Sequence, residues 1–129
     1  MRIYVAAKYE TKDEVEKVYA VLRKHGHMIT YPWAELVEVP GQETTVALKE
    51  VGGVEACGAF LLYPHEKGCG QYVELGVAVA SHKPIVAVVE PGSEDFWKRK
   101  NIFFHLPLVV FCHSTGEAIE YLNRWARVA

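Results

Sequence analysis

No stretch of this chain approaches the roughly 18 consecutive apolar residues that a membrane-spanning helix requires. The N-terminal run MRIYVAAKYETKDE reaches charged residues too soon to hold the apolar core of a signal peptide. No membrane partner is expected, and the expected location is the cytoplasm. An excess of one charge is missing as well: 14 Lys and Arg against 16 Asp and Glu leave a formal net charge of −2. A nucleic-acid binder needs a basic face to displace phosphate counterions, so that partner class is not expected either. The one dense basic run, WKRKN at 97–101, reads as solvated surface.

Cysteine is scarce: Cys57, Cys69 and Cys112 make an odd count of 3 without CxxC or Cys/His ligand spacing. Neither a disulfide framework nor a zinc site is supported. Cys57 and Cys112 flank apolar runs and read as small buried hydrophobes. Cys69 lies in a glycine-rich loop, but no nearby histidine has the look of an activating base for it. Repeats and low-complexity segments are absent too, and 129 residues suffice for one sizeable core but not for two. A single domain over 1–129 is expected.

What is there alternates. RIYVAA at 2–7 reads as a strand, and Thr11-Lys12-Asp13-Glu14 as a T-x-x-E capping box opening an amphipathic helix over about 12–25, with Val15, Val18, Tyr19 and Leu22 inward and Gly26 as its stop. HMITYPW at 27–33 reads as a second strand, and AELVEVPGQETT as a loop long enough to cover a site. TTVALKEVGGVEAC at 44–57 reads as a helix in which Gly52-Gly53 marks a kink, a very close neighbour or only a loose end. AFLLYP at 59–64 and PIVAVVEP at 84–91 are continuous apolar runs, as in strands covered on both faces. Between them lie a glycine loop and a helix over about 71–82, which completes a right-handed βαβ unit. A turn of surface helix at 93–101, a strand at 106–112 and a helix opened by a second capping box, Ser114-Thr115-Gly116-Glu117, finish the chain. The expected fold is a three-layer α/β/α sandwich around a five-stranded, mostly parallel sheet of the flavodoxin/Rossmann-like kind.

Ligands of such sheets bind at the carboxyl ends of the strands. Among the loops gathered there, HEKGCGQ is the most suggestive. Gly68 and Gly70 let the backbone turn sharply and approach a ligand, and the helix behind them offers unpaired N–H groups. The spacing fits neither a Walker loop nor a dinucleotide fingerprint. Glu74 is expected in the first turn of that helix, where the dipole favours an ionised carboxylate. An ionised carboxylate beside a glycine-lined pocket suits attack on, or stabilisation of, a sugar C1 with oxocarbenium character. A carboxylate that merely complements the helix dipole is the simpler alternative. Gly76, Ala78 and Ala80 on the same helix read as small residues for close packing.

The sequence order IYVAAKY, helix, GHMITYPW, helix, GAFLLYP, glycine loop, YVELGVAVASHKPIVAV resembles the nucleoside 2-deoxyribosyltransferase superfamily, including its deoxynucleoside 5′-monophosphate N-glycosidase branch. ELGVAVASHKPI at 74–85 is the most specific part of the likeness. The resemblance implies cleavage or transfer at the N-glycosidic bond of a 2′-deoxynucleoside or its 5′-monophosphate through a glutamate nucleophile. By match to the family motif that nucleophile is Glu74, with Tyr4 on the first strand orienting it. The family's helical acid, usually aspartate, falls on Glu50 as general acid/base toward the base.

The same resemblance places sugar or phosphate contacts on the first-strand loop, Ala6-Ala7-Lys8; Lys8 and Lys67, each on a loop at the carboxyl end of the sheet, are candidates for a 5′-phosphate, beside Gly68 and Gly70. It implies no cofactor, no metal, a small-molecule nucleoside or nucleotide partner, and a homodimer or larger homo-oligomer. His65 and His105 are candidate base contacts. Asn101, Phe103 and Phe104 are candidates to close a pocket from a neighbouring subunit.

An enzyme of this kind is the leading reading. The alternative is a catalytically inactive nucleotide-binding or sensing module of the same fold, motivated by Ala6-Ala7 in place of the glycine many relatives carry there and by Gly70 standing four residues before Glu74. A phospho-acceptor signalling domain is excluded, because Tyr63 and Ala6-Ala7-Lys8 stand where it needs carboxylates to hold Mg²⁺.

Overall fold

The computed structural model describes residues 1–128. Its strands are β1 (Arg2–Ala6), β2 (Met28–Ile29), β3 (Ala59–Leu62), β4 (Ile85–Val88) and β5 (Val109–Cys112). Its α-helices are α1 (Lys12–Lys24), α2 (Glu43–Ala56), α3 (Cys69–Ala80), α4 (Glu94–Lys100) and α5 (Thr115–Val128). The sheet runs β2-β1-β3-β4-β5 and every neighbouring pair is parallel. The three-layer expectation therefore holds, with all five strands parallel.

Side chains of successive strand residues point to opposite faces, and the two cores follow that alternation. Ile3, Val5, Ala59, Leu61 and Val86 pack under Val15, Tyr19 and Leu22 of α1 and Ala118, Ile119 and Leu122 of α5. Tyr4, Ala6, Phe60, Leu62 and Ile85 pack under Val54 of α2, Leu75 and Ala78 of α3, and Phe104. Every residue of β3 is buried, as a strand covered on both faces requires.

Four local expectations are corrected. The second strand stops after Ile29 rather than running to 33, because Pro32 has no N–H to give a ladder and Trp33–Glu35 winds into a 3₁₀ turn. The last strand starts at Val109 rather than 106, after a turn closed by the Val109 N–H on the Leu106 carbonyl around Pro107. Thr11 does not cap α1: its hydroxyl donates to the Lys8 carbonyl at 2.6 Å and so closes the preceding 3₁₀ turn. The second capping box does form in the expected place. Ser114 Oγ accepts from the Glu117 N–H at 3.1 Å, and the Glu117 carboxylate accepts from the His113 N–H at 3.0 Å.

The fourth correction matters most for chemistry. Helix α3 begins at Cys69, two residues earlier than expected, so Glu74 stands in its second turn and not its first. The dipole argument for an ionised carboxylate loses its footing there, since the effect fades beyond the first turn.

Candidate active site

The chain leaves β1 toward one edge of the sheet and returns to β3 on the other side of β1, so the strand order reverses between these two neighbours. Their carboxyl ends, where Ala6 pairs with Leu62, open a crevice at the switch point. A cavity of about 290 Å³ occupies it, walled by Ala7, Lys8, Tyr9 and Glu10 after β1, by Trp33, by Glu50 of α2, and by Lys67, Gly68, Cys69, Gly70, Gln71 and Glu74.

Tyr4 forms the buried support of the site. Strand alternation turns it toward α2 and α3, where it stacks on Phe60 with ring centroids 5.9 Å apart. Its hydroxyl donates a hydrogen bond to the Glu74 carboxylate. Burial, then the Glu74 charge, hold the phenol far above its ordinary pKa, so Tyr4 keeps its proton and remains the donor.

Glu74 itself is pushed up to about 7, chiefly by desolvation; the Tyr4 hydrogen bond works against that rise and Glu50 adds to it. An ordinary carboxylate favoured by a helix dipole was expected. The structure instead holds a carboxyl poised near neutrality. Glu50 is raised too, by burial first and by Glu38 second.

The glycine pair of α2 resolves into two different residues. A Cβ on Gly53 would lie 2.8 Å from Tyr31 Cβ and 3.1 Å from Tyr4 Cδ2, whereas one on Gly52 would meet nothing within 4 Å. The close-neighbour reading therefore applies to Gly53: its bare backbone lets α2 sit against Tyr4. The glycine loop divides in the same way, since a Cβ on Gly68 would meet Gln71 Cδ at 2.6 Å while Gly70 faces open space.

Gln71 was missed by sequence reasoning. It is 2% exposed, accepts from the His65 N–H at 2.6 Å and donates to the Tyr63 carbonyl at 3.1 Å, tying the loop after β3 to the start of α3. The signal for it was a polar residue on the inward stripe Gln71, Leu75, Ala78. Trp33 was passed over as well. Its indole N–H donates to the Val5 carbonyl at 2.7 Å, fixing the ring in the cavity wall 6.4 Å from the Tyr9 ring.

Of the predicted site residues, Tyr4, Glu50, Glu74, Ala7, Lys8, Lys67, Gly68 and Gly70 converge on this crevice. Ala6 does not line it: the residue is fully buried in the strand, among the core beneath. His65 braces the loop, its ring accepting from the Lys67 N–H at 3.0 Å. His105 lies apart, with its ring on the Lys98 carbonyl. Phe104, expected to reach a neighbouring subunit, is 1% exposed and packs edge-on against Trp97 and Phe111 within its own chain. Phe103 is exposed, and Asn101 borders a separate small cavity with Glu66, Tyr72, Trp97 and Lys100. Cys69 is exposed at the crevice, while Cys57 and Cys112 are buried as expected. Among the described residues no helix is long and apolar enough to cross a membrane.

Two comparisons bear on this arrangement. The family model described as Nucleoside 2-deoxyribosyltransferase matches residues 3–103, a span that contains Tyr4, Glu50 and Glu74. Among solved structures the chain resembles the CMP N-glycosidase BcmB of Clostridium botulinum, with 18% identity, a TM-score of 0.64, and 97% of this chain and 99% of that one covered. At that identity the likeness is one of fold. No curated protein matches the chain significantly.

Proposed function

Since the chain belongs to the nucleoside 2-deoxyribosyltransferase family, we propose that it cleaves or transfers at the N-glycosidic bond of 2′-deoxynucleosides or their 5′-monophosphates, with Glu74 as nucleophile. The observation that carries this reading is the Tyr4–Glu74 hydrogen bond at the wall of a cavity that Glu50 also lines. Two carboxyl groups can supply the nucleophile and the proton, and the phenol orients the nucleophile. The ionised Glu74 attacks C1′ as the C1′–N bond breaks, and its electron pair leaves with the base. Glu50 gives its proton to that base. Water or a second base then attacks C1′, passes a proton to Glu50 and releases Glu74.

The charge states suit this sequence. With Glu74 titrating at about 7, its carboxyl is partly ionised at neutral pH, and burial raises Glu50 from its ordinary value. Positive charge developing on the sugar favours the form in which Glu74 is ionised and Glu50 holds the proton. The Tyr4 donor then steadies the carboxylate, and it weakens as the ester forms.

Substrate parts divide among the walls. Lys8 and Lys67 line the same cavity as Gly68 and Gly70 and are the contacts for a 5′-phosphate. A contiguous cavity of about 270 Å³ shares Tyr9, Trp33 and Glu50 with the first and adds Tyr31, Leu36, Val37 and Val39. Its aromatic and aliphatic lining suits a planar base, with Glu50 at the junction where a base would meet its proton. The reaction as written calls for neither metal nor cofactor.

The test is chromatographic detection of free base after incubation with a panel of 2′-deoxynucleosides and their 5′-monophosphates, with and without an acceptor base, for the native chain and Glu74→Gln. Release by the native chain alone is expected, with a loss of at least ~10³-fold in the variant. Binding without release from any substrate would instead favour a nucleotide-sensing module.

A further inference from the structure

We propose that Thr30, just past the end of β2, is a positioning residue that docks α2 on the sheet and so sets where Glu50 stands over the crevice; the proposal rests on the reading of Glu50 as the acid toward the base.

Helix α2 has little else to hold it. Of its 14 residues only Gly53 and Val54 are buried, both in its last turns. Glu43–Lys49 are exposed but for the half-buried Val46. Residues three and four apart on a helix are neighbours on one face, so Glu50 lies one turn before the buried pair and on the same side. Whatever fixes Gly53 and Val54 therefore fixes Glu50.

Thr30 joins that turn to the sheet. Its N–H donates to the Ile3 carbonyl at 3.0 Å, carrying the β1–β2 pairing one bond past Ile29, and its hydroxyl donates to the Gly53 carbonyl at 2.7 Å. Helix ends leave carbonyls without amide partners. In α2 the Cys57 N–H, which a continuing α-helix would give to Gly53, goes to the Val54 carbonyl at 3.2 Å, and the threonine hydroxyl takes its place. The same glycine is pressed by side chains: its Cβ position is 2.8 Å from Tyr31 Cβ and 3.1 Å from Tyr4 Cδ2. Packing on a bare glycine leaves a helix free to slide, whereas a hydrogen bond weakens steeply off its line and so fixes the helix along its axis.

The two carboxyl groups then share one reference. Glu74 is held by the hydroxyl of Tyr4, and Glu50 is set through Thr30 from Ile3, the residue before Tyr4 on β1. That common footing keeps nucleophile and acid in register across the cavity they both line.

The experiment compares Thr30→Val, which keeps the branched shape and loses the donor, with Thr30→Ser, which keeps the donor, by NMR of the whole chain. In Thr30→Val the nuclear Overhauser contacts of the Gly53 Hα with the Tyr31 and Tyr4 side chains are expected to weaken. The Glu50 carboxyl midpoint, assigned through Glu50→Gln and raised chiefly by burial, should fall as water reaches it. Thr30→Ser should keep both readings near native, and Thr30→Ala replaces the valine variant if that one does not fold. Unchanged contacts in the variant without the donor overturn the proposal; so do weakened contacts with an unmoved Glu50 midpoint, which would confine Thr30 to supporting the helix end. These readings need no turnover, so failure of base release sinks the reading of Glu74 while the NMR comparison still decides this one. Where base is released, Thr30→Val should lower kcat by roughly 10- to 100-fold with KM nearly unchanged, and Thr30→Ser should recover most of the rate. A rise in KM at constant kcat would count against the proposal.

Discussion

Glu74 is held by two opposing influences, burial that favours the neutral carboxyl and a phenol that favours the ion. Removing the phenol alone leaves burial unopposed. In Tyr4→Phe the ring keeps its place on Phe60, Glu74 loses its donor, and its pKa rises further. We expect the acid limb of kcat/KM to move to higher pH and the rate at pH 7 to fall by about tenfold or more. A pH profile of base release checks this; a lower rate with an unmoved limb would mean that Tyr4 only fills space. At this scale the sequence was informative about placement: Glu74, Glu50 and Tyr4, singled out by the family resemblance, meet at one crevice. On protonation it pointed the wrong way, to an ordinary ionised carboxylate, because desolvation depends on how far α2 and α3 close over the carboxyl, a tertiary quantity that spacing does not carry. Gln71 escaped for a related reason: a buried glutamine is recognisable only once its two backbone partners, at His65 and Tyr63, are seen folded back against it.

Helix α2 shows what one element contributes through its backbone. Its two adjacent glycines differ in surroundings, and substitution should separate them. Gly52→Ala gains helix propensity in open space and is expected to stabilise by about 0.5–1 kcal/mol. Gly53→Ala drives a methyl into Tyr31 and Tyr4, and is expected to destabilise by about 1–3 kcal/mol while displacing the donor to Glu74. Urea denaturation of both variants, beside base-release rates, tests the pair; equal effects would mean that α2 does not press on Tyr4. The glycine loop has its counterpart in Gln71→Leu, which leaves the His65 N–H and the Tyr63 carbonyl without their partner. We expect a loss of about 1–3 kcal/mol and a weaker hold on substrate, read as a rise in KM. The elements were legible to within a few residues because their apolar periods are strong, as in Val15, Val18, Tyr19 and Leu22. Their ends were not. The Thr11 hydroxyl went to the Lys8 carbonyl and not to an amide of α1, and Pro32 ended β2 in favour of a turn that carries Trp33 into the cavity wall.

For the whole molecule, alternation of strand and helix dictated the layers, and a parallel sheet with right-handed crossovers left few orders open. The sequence could not say where the crevice closes or which charge lies in it, and that charge has a consequence for the stability of the fold. Unfolded, the Glu74 carboxyl titrates near its ordinary 4.5; folded, it titrates at about 7. Below about pH 4.5 it is protonated in both states and its ionisation costs the fold nothing. As pH rises toward 7 the unfolded chain gives up this proton more readily than the folded one, so the native state loses ground. Above about pH 7 the full penalty stands, at about 1.4 kcal/mol per unit, or about 3 kcal/mol in all. Glu74→Gln keeps the shape and the acceptor for Tyr4 but has nothing to ionise. The variant should therefore be the more stable protein above pH 8, by up to about 3 kcal/mol, and should converge with the native chain below pH 5. Urea denaturation of both proteins at pH 4.5, 7 and 8.5 measures the divergence. Equal stability at pH 8.5 would place Glu74 in contact with bulk water, and the nucleophile would have to be sought elsewhere.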